Sequence, residues 1–259
     1  TLAAGSSLSA AGFTGGGDVL VGGDWQGGNN AARGVFDNPE QLREATTVTM
    51  EAGASIDASA TDRGDGGTVV LWSDISNANS VTSVQGSVAA KGGSQGGDGG
   101  QIETSGYDLK VDGITITTQA NEAAGGRSGE WLLDPRNITI STGTDSNVSG
   151  QTATGDNAII NVNTLTTALN SSNVTAFTGT TGTQPGTITV DSAITAGGGN
   201  MLTLKAASGI VINADITRTS SGGLILRPGY ASATRTVSGS GTLNLSGGTS
   251  LLLSSGTTL

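Results

Sequence analysis

Asp62, Asp65 and Asp98 sit in two glycine-rich turns, Asp62-Arg-Gly-Asp-Gly-Gly67 and Gly96-Gly-Asp-Gly-Gly100. Carboxylates among turn carbonyls are hard oxygen donors, so these three could bind calcium. They lack the strict nonapeptide repeat of calcium-binding β-rolls, and the other reading is that they are solvated turn residues. Asp57, Asp74, Asp191 and Asp215 are candidates for a polysaccharide lyase or hydrolase, because glycosidic cleavage needs an acid and a base or nucleophile across the scissile bond. No sequence feature brings any two of them together. Trp25, Gln26, Arg33, Phe36 and Arg43 form a third group. Exposed aromatics and arginine suit a carbohydrate or protein contact; alternatively, Trp25 and Phe36 close the end of a strand stack. Trp72 and Trp131 lie inside apolar runs and read as core or corner residues. Histidine and cysteine are both absent, which removes the usual general base, the Ser-His-Asp triad, thiolate metal sites and disulfides. Lys91-Gly-Gly-Ser94 lacks the Gly-Lys-Ser/Thr of a phosphate loop. No cofactor is expected.

These residues need a scaffold, and the chain repeats itself to build one. The phrase Gly53-Ala-Ser-Ile-Asp-Ala-Ser-Ala-Thr-Asp-Arg-Gly-Asp-Gly-Gly-Thr-Val-Val-Leu-Trp-Ser-Asp74 returns as Gly86-Ser-Val-Ala-Ala-Lys-Gly-Gly-Ser-Gln-Gly-Gly-Asp-Gly-Gly-Gln-Ile-Glu-Thr-Ser-Gly106, and more loosely from Gly5 to Asp24. Each copy is a short β-prone run, a glycine turn and a second β-prone run, the mark of a repeat architecture. Of 259 residues 44 are glycine and only 3% are aromatic, so the core must be thin layers of Val, Ile, Leu and Ala. Short strands at regular spacing could build a sandwich, a barrel or a β-helix. Whole-coil repetition, with glycine, asparagine and serine at the corners, favours an all-β parallel β-helix, the glycines supplying left-handed turns. Such coils would form a rod about 50 Å long whose cut ends imply a fragment.

In chain order, 1–140 reads as β-helix coils with an excursion at 25–44, where Asn38 and Pro39 could start a helix running to Ala45. The stretch 141–186 is an irregular loop or boundary; the spacing of Ile159, Val162, Leu165 and Leu169 allows a short helix there. Coils continue over 187–259, and the whole is one continuous solenoid. A net charge of −10, from 11 basic and 21 acidic residues, repels a phosphate backbone, so nucleic acid is not an expected partner. No apolar run approaches the ~20 residues of a membrane span, and no membrane insertion is expected.

Several phrases resemble the filamentous-haemagglutinin-like and high-molecular-weight adhesin exoproteins of Gram-negative two-partner secretion, with the haem-haemopexin-binding proteins as close relatives. The resemblance rests on Gly22-Gly-Asp-Trp-Gln-Gly-Gly28, Ile56-Asp-Ala-Ser-Ala-Thr-Asp-Arg-Gly-Asp-Gly-Gly67, Val70-Leu-Trp-Ser-Asp74, Gly96-Gly-Asp-Gly-Gly-Gln-Ile-Glu-Thr-Ser-Gly106, Trp131-Leu-Leu-Asp-Pro135 and Asn137-Ile-Thr-Ile140. It covers about the first 140 residues; the remainder is similar only as generic β-helix. It implies a right-handed β-helix, threaded through an outer-membrane secretion partner and secreted or held at the bacterial cell surface. The Asn-Pro-Asn-Gly type of motif that marks the family's secretion domain is missing, which implies a segment downstream of that domain. The expected function is that of a non-catalytic adhesin shaft that presents a contact surface to a host-cell receptor, glycan or matrix protein. Two alternatives stay open: a nutrient-capture exoprotein gripping a host carrier such as haemopexin, and a β-helix polysaccharide lyase or hydrolase.

Overall fold

Runs of Val, Ile, Leu and Thr in this chain are short, and Gly, Ser, Asn and Asp, residues that favour turns, recur between them. A computed structural model describes residues 1–28, 42–111, 113–134, 137–143, 148–149, 152–153, 158–178, 185–232 and 235–258. In it these runs are strands of two to five residues. The protein is mostly β, and among the described residues all neighbouring strands pair in parallel except the hairpin of Val148–Ser149 with Thr152–Ala153. No helix among these residues is long and apolar enough to cross a membrane.

The chain visits three sheet positions in rotation. It passes through Thr47–Met50, Ser55–Asp57 and Thr68–Trp72, then Val81–Val84, Gly86–Ala89 and Gln101–Ser105, then Asp108–Lys110, Ile114–Thr117 and Glu130–Asp134. Each strand bonds to its counterpart one circuit earlier. The rotation resumes with Ile188–Val190, Ile194–Ala196 and Leu202–Lys205, followed by two further circuits. The third position yields the broadest sheet, eight strands from Asp18–Val21 to Ser250–Leu253.

Between these two series the rotation breaks. Ile138–Ser141 pairs with Ile188–Val190 on one side and with the later strand Ala158–Asn161 on the other, so the chain steps forward and then fills in behind itself. The helix Val162–Ala168 follows, packed between Ile114–Thr117 and Ile194–Ala196 where a strand would otherwise lie. Asn161 starts it, its side chain accepting the Asn163 N–H at 2.9 Å, as an N-cap should. Val162, Leu165 and Ala168 face the core. Helical spacing at Ile159 is misleading, since that residue belongs to the preceding strand. The helix read at 38–45 falls mostly outside the described residues; over 42–44 the backbone is not helical.

Alternate strand residues point inward and stack in register. Val69, Ile102, Trp131, Val174, Leu202 and Leu224 form one such ladder, and each is fully buried. Burial of a large aliphatic side chain stabilises by about 1.5–3 kcal/mol, so the stack gains with every circuit. Trp131 also satisfies its indole N–H, which donates to Thr104 Oγ1 at 3.1 Å.

Glycine serves this fold in two ways. Gly64 (φ +95°) takes the left-handed turn conformation expected at corners. The pairs Gly66-Gly67 and Gly99-Gly100 need space instead. There the backbone folds against the end of the preceding strand, with the Gly67 N–H donating to Ala58 O at 2.7 Å and the Gly100 N–H to Ala90 O at 2.8 Å. A Cβ on Gly66 or Gly99 would overlap the carbonyl oxygen of Ala90 or Thr118 in the next circuit.

Candidate functional site

The turn aspartates join circuits. Asp65 Oδ1 accepts the Asp98 N–H at 2.7 Å, and Asp98 Oδ1 in turn accepts the Arg127 N–H at 2.9 Å. Asp98 Oδ2 pairs with the Arg127 guanidinium at 2.6 Å. Asp62 lies beside Arg63, 3.5 Å away. Among the described residues no three His, Cys, Asp or Glu side chains gather as a metal would require. The side-chain bond from Arg127, then its backbone N–H, holds the Asp98 carboxyl below its ordinary value. A depressed carboxylate stabilises the fold above its unfolded value of about 3.9 and loses that contribution as pH falls through the folded one. Acid titration followed by circular dichroism should therefore show Asp98→Asn flattening the lowest part of the profile; an unchanged profile would refute the linkage. The effect is small because Arg127 is exposed.

The four carboxylates considered for glycosidic chemistry are each engaged locally. Asp57 accepts the Ser59 N–H, Asp74 accepts the Ser76 N–H and hydroxyl, Asp191 accepts from Asn213 Nδ2, and Asp215 accepts the Thr242 N–H, all within 3.0 Å. Asp57 ends a strand of one sheet and Asp74 follows a strand of another.

Trp25 is buried, only 2% exposed. It packs with Val70, Trp72 and Leu132 on the outward side of the broad sheet, with Leu20, Ile75 and Phe177 around it. The turn that carries it has to lie flat on Trp72: a Cβ on Gly23 would enter the Trp72 ring. Gln26 adopts a left-handed backbone (φ 47°, ψ 42°), a conformation costing about 1–2 kcal/mol outside glycine. Its N–H donates to Glu103 Oε2 at 2.8 Å, while Ser105 Oγ donates to Oε1 at 2.7 Å. A fully buried carboxylate thus clamps the turn. Trp72 Nε1 meets no acceptor at hydrogen-bonding geometry among the described residues. Glu44, which approaches the same turn, is pushed up by lost hydration first and by Asp74 second, with the Trp72 indole opposing. Arg43 is exposed; Arg33 and Phe36 lie outside the described residues.

Beyond the Trp25 turn the outward face opens. Leu132, Thr175, Thr203 and Ile225 follow one another in register, and Phe177, Lys205 and Arg227 form the adjoining ladder. With Trp25, Gln26 and Glu130 they line a groove of about 270 Å³. The Lys205 ammonium lies 4.2 Å from the Phe177 ring centroid and 4.9 Å from that of Tyr230. The two rings are 5.2 Å apart and tilted by 32°. Tyr230 is anchored by its hydroxyl, which donates to Thr178 O at 2.5 Å. Thr175 Oγ1 donates to Glu130 Oε1 at 2.5 Å. An apolar floor, hydroxyls, a ring-held ammonium, a guanidinium and a carboxylate on a paired sheet are equipment for binding.

Of the residues singled out from sequence, Trp25 and Gln26 reach this groove; Arg43 is not among its lining residues. Glu103, Phe177, Lys205, Arg227 and Tyr230 escaped sequence reasoning, because they are far apart in the chain and each looks ordinary in its own stretch, four on strands and Tyr230 in the turn after Arg227. Outward placement in strand alternation was the one available signal. In comparisons with known proteins, no family model and no curated protein matches the chain.

Proposed function

We propose that the chain is a right-handed parallel β-helix belonging to a secreted or surface-held bacterial adhesin, and that it works by non-catalytic contact through the groove beside Trp25. The three-position rotation of parallel strands supports the β-helix reading, and parallel crossovers strongly prefer the right-handed sense. The observation that carries the functional reading is the groove itself, where aromatic, apolar and cationic side chains stand together on a rigid sheet. Aromatic and arginine side chains in such a setting are the usual anchors of a contact. Each circuit leans only on its neighbours, as in repeat proteins, which suits export through an outer-membrane partner with folding outside.

Attachment of the purified protein to host cells tests this. Thr175→Lys places a long charged side chain in the groove and should lower attachment at least about tenfold, with unchanged circular dichroism. Thr61→Lys, at an exposed turn elsewhere, should leave attachment intact. If both variants attach like wild type, the groove is not the contact surface. A tight one-to-one complex with a single soluble serum protein would redirect the reading to nutrient capture.

A further inference from the structure

We infer that a second groove, at the corner that follows the second sheet position, takes a short neutral saccharide. It shares no lining residue with the groove beside Trp25 and does not depend on it. The groove holds about 630 Å³ and crosses three successive circuits. Its floor is Ala60, Gly92 and Ala120, one small residue from each circuit. The Ala60 N–H donates to Lys91 O at 2.8 Å and the Gly92 N–H to Gln119 O at 3.0 Å, so paired backbone runs beneath it without a break. Circuits stand about 4.8 Å apart, close to the length of one pyranose. A chain of sugars laid across them meets the same pattern of groups once per ring.

Both walls are tied from circuit to circuit. On the strand side Asp57 Oδ1 accepts the Ser59 N–H at 3.0 Å, and Ser59 Oγ accepts the Lys91 N–H at 3.0 Å. On the loop side Asn121 Nδ2 donates to Ser94 O at 2.6 Å, and Ser94 Oγ reaches Thr61 O at 3.4 Å. Little order is lost when a ligand settles on walls so held.

The polar groups choose the ligand. The charged residues lining the groove are Asp57, Lys91 and Glu122, and among the described residues no two of them form an ion pair. Lys91, Gln119 and Glu122 are exposed. An ammonium only donates, a carboxylate only accepts and an amide does both. A sugar hydroxyl also does both, so one uncharged ligand can satisfy all three. A uronate would meet two carboxylates against one ammonium. An extended peptide finds no edge to join, because Ser55–Asp57 and Gly86–Ala89, which lead into the corner, are paired on both sides.

Ligand-observed NMR titration with cellotetraose, mannotetraose and tetra-N-acetylchitotetraose, beside tetragalacturonate, tests the inference. At least one neutral tetramer should bind with a Kd on the order of 1 mM, the strength of a handful of hydrogen bonds, and tetragalacturonate at least about tenfold more weakly. Ser94→Trp fills the groove from the loop side and Gln119→Trp from the strand side; each should lower neutral-tetramer affinity at least about tenfold with unchanged circular dichroism. Either variant answers if the other misfolds. At millimolar strength one groove does not carry attachment of whole cells, so Thr61→Lys should weaken saccharide binding while sparing attachment, and Thr175→Lys should do the reverse. No binding by any neutral tetramer, a preference for tetragalacturonate, or binding that survives both tryptophan variants overturns the inference and leaves the reading of the Trp25 groove untouched.

Discussion

Arg218→Leu is expected to raise stability by about 1–4 kcal/mol. Arg218 occupies an inward position, in register between Ala196 and Leu245, and is completely buried. Its Nη2 donates to the carbonyls of Gly198, at 3.3 Å, and Asn200. Nε and Nη1 meet no partner among the described residues, and burial pushes the guanidinium's pKa down. A buried charge with half-met hydrogen bonding costs more than a hydrocarbon of similar volume in the same place. Urea unfolding at constant slope should show the higher midpoint. Arg218→Met covers the case in which leucine leaves a void. If both variants are less stable than wild type, the carbonyl bonds outweigh the desolvation cost and the ledger is reversed.

Gly99→Ala should act in the opposite direction, with a loss of about 3 kcal/mol or more. The added methyl would strike the Thr118 carbonyl oxygen and crowd the Gly129 backbone, neither of which is a flexible side chain. Gly16 and Gly66 hold the same place in earlier circuits, against Ala58 and Ala90. One circuit later the equivalent residue is Ser128, beside Gly129. In the next circuit the chain reaches that corner from the helix Val162–Ala168, which stands where a strand of the second sheet would lie, and at Ser128 the chain carries a Cβ. Ser128→Ala should accordingly change stability by less than about 0.5 kcal/mol, and thermal unfolding of the pair would separate the two cases. Similar losses from Gly99→Ala and Ser128→Ala would refute the crowding argument.

The two expectations have a common source in the stacking of circuits. A repeat protein multiplies whatever a corner demands, so glycine recurs wherever backbone meets backbone. Arg218 departs from the pattern in a ladder otherwise made of small and aliphatic residues, and that departure is why its replacement should matter. The turn aspartates belong to the same logic: Asp65 and Asp98 each cap an N–H one circuit on.

The sequence by itself determined the alternation of short parallel-capable strands with turns, the thin aliphatic core and the glycine corners, because these are local properties repeated at a fixed interval. It also marked 25–44 as different, since Trp25 and Arg43 interrupt the repeat. Only the tertiary structure decided what Trp25 is for. In Val69-Val-Leu-Trp72 every residue is apolar, so strand alternation alone cannot say which side is core and which is covered from outside; the Trp25 turn and the buried Glu103 supply the second cover. The strand inserted out of order at Ala158–Asn161 could not be read either, because pairing partners are chosen across the stack and leave no local mark. The groove follows from the same cause. Phe177, Lys205, Arg227 and Tyr230 come from three separate stretches of chain, and they become neighbours only because each parallel circuit is laid in register on the last.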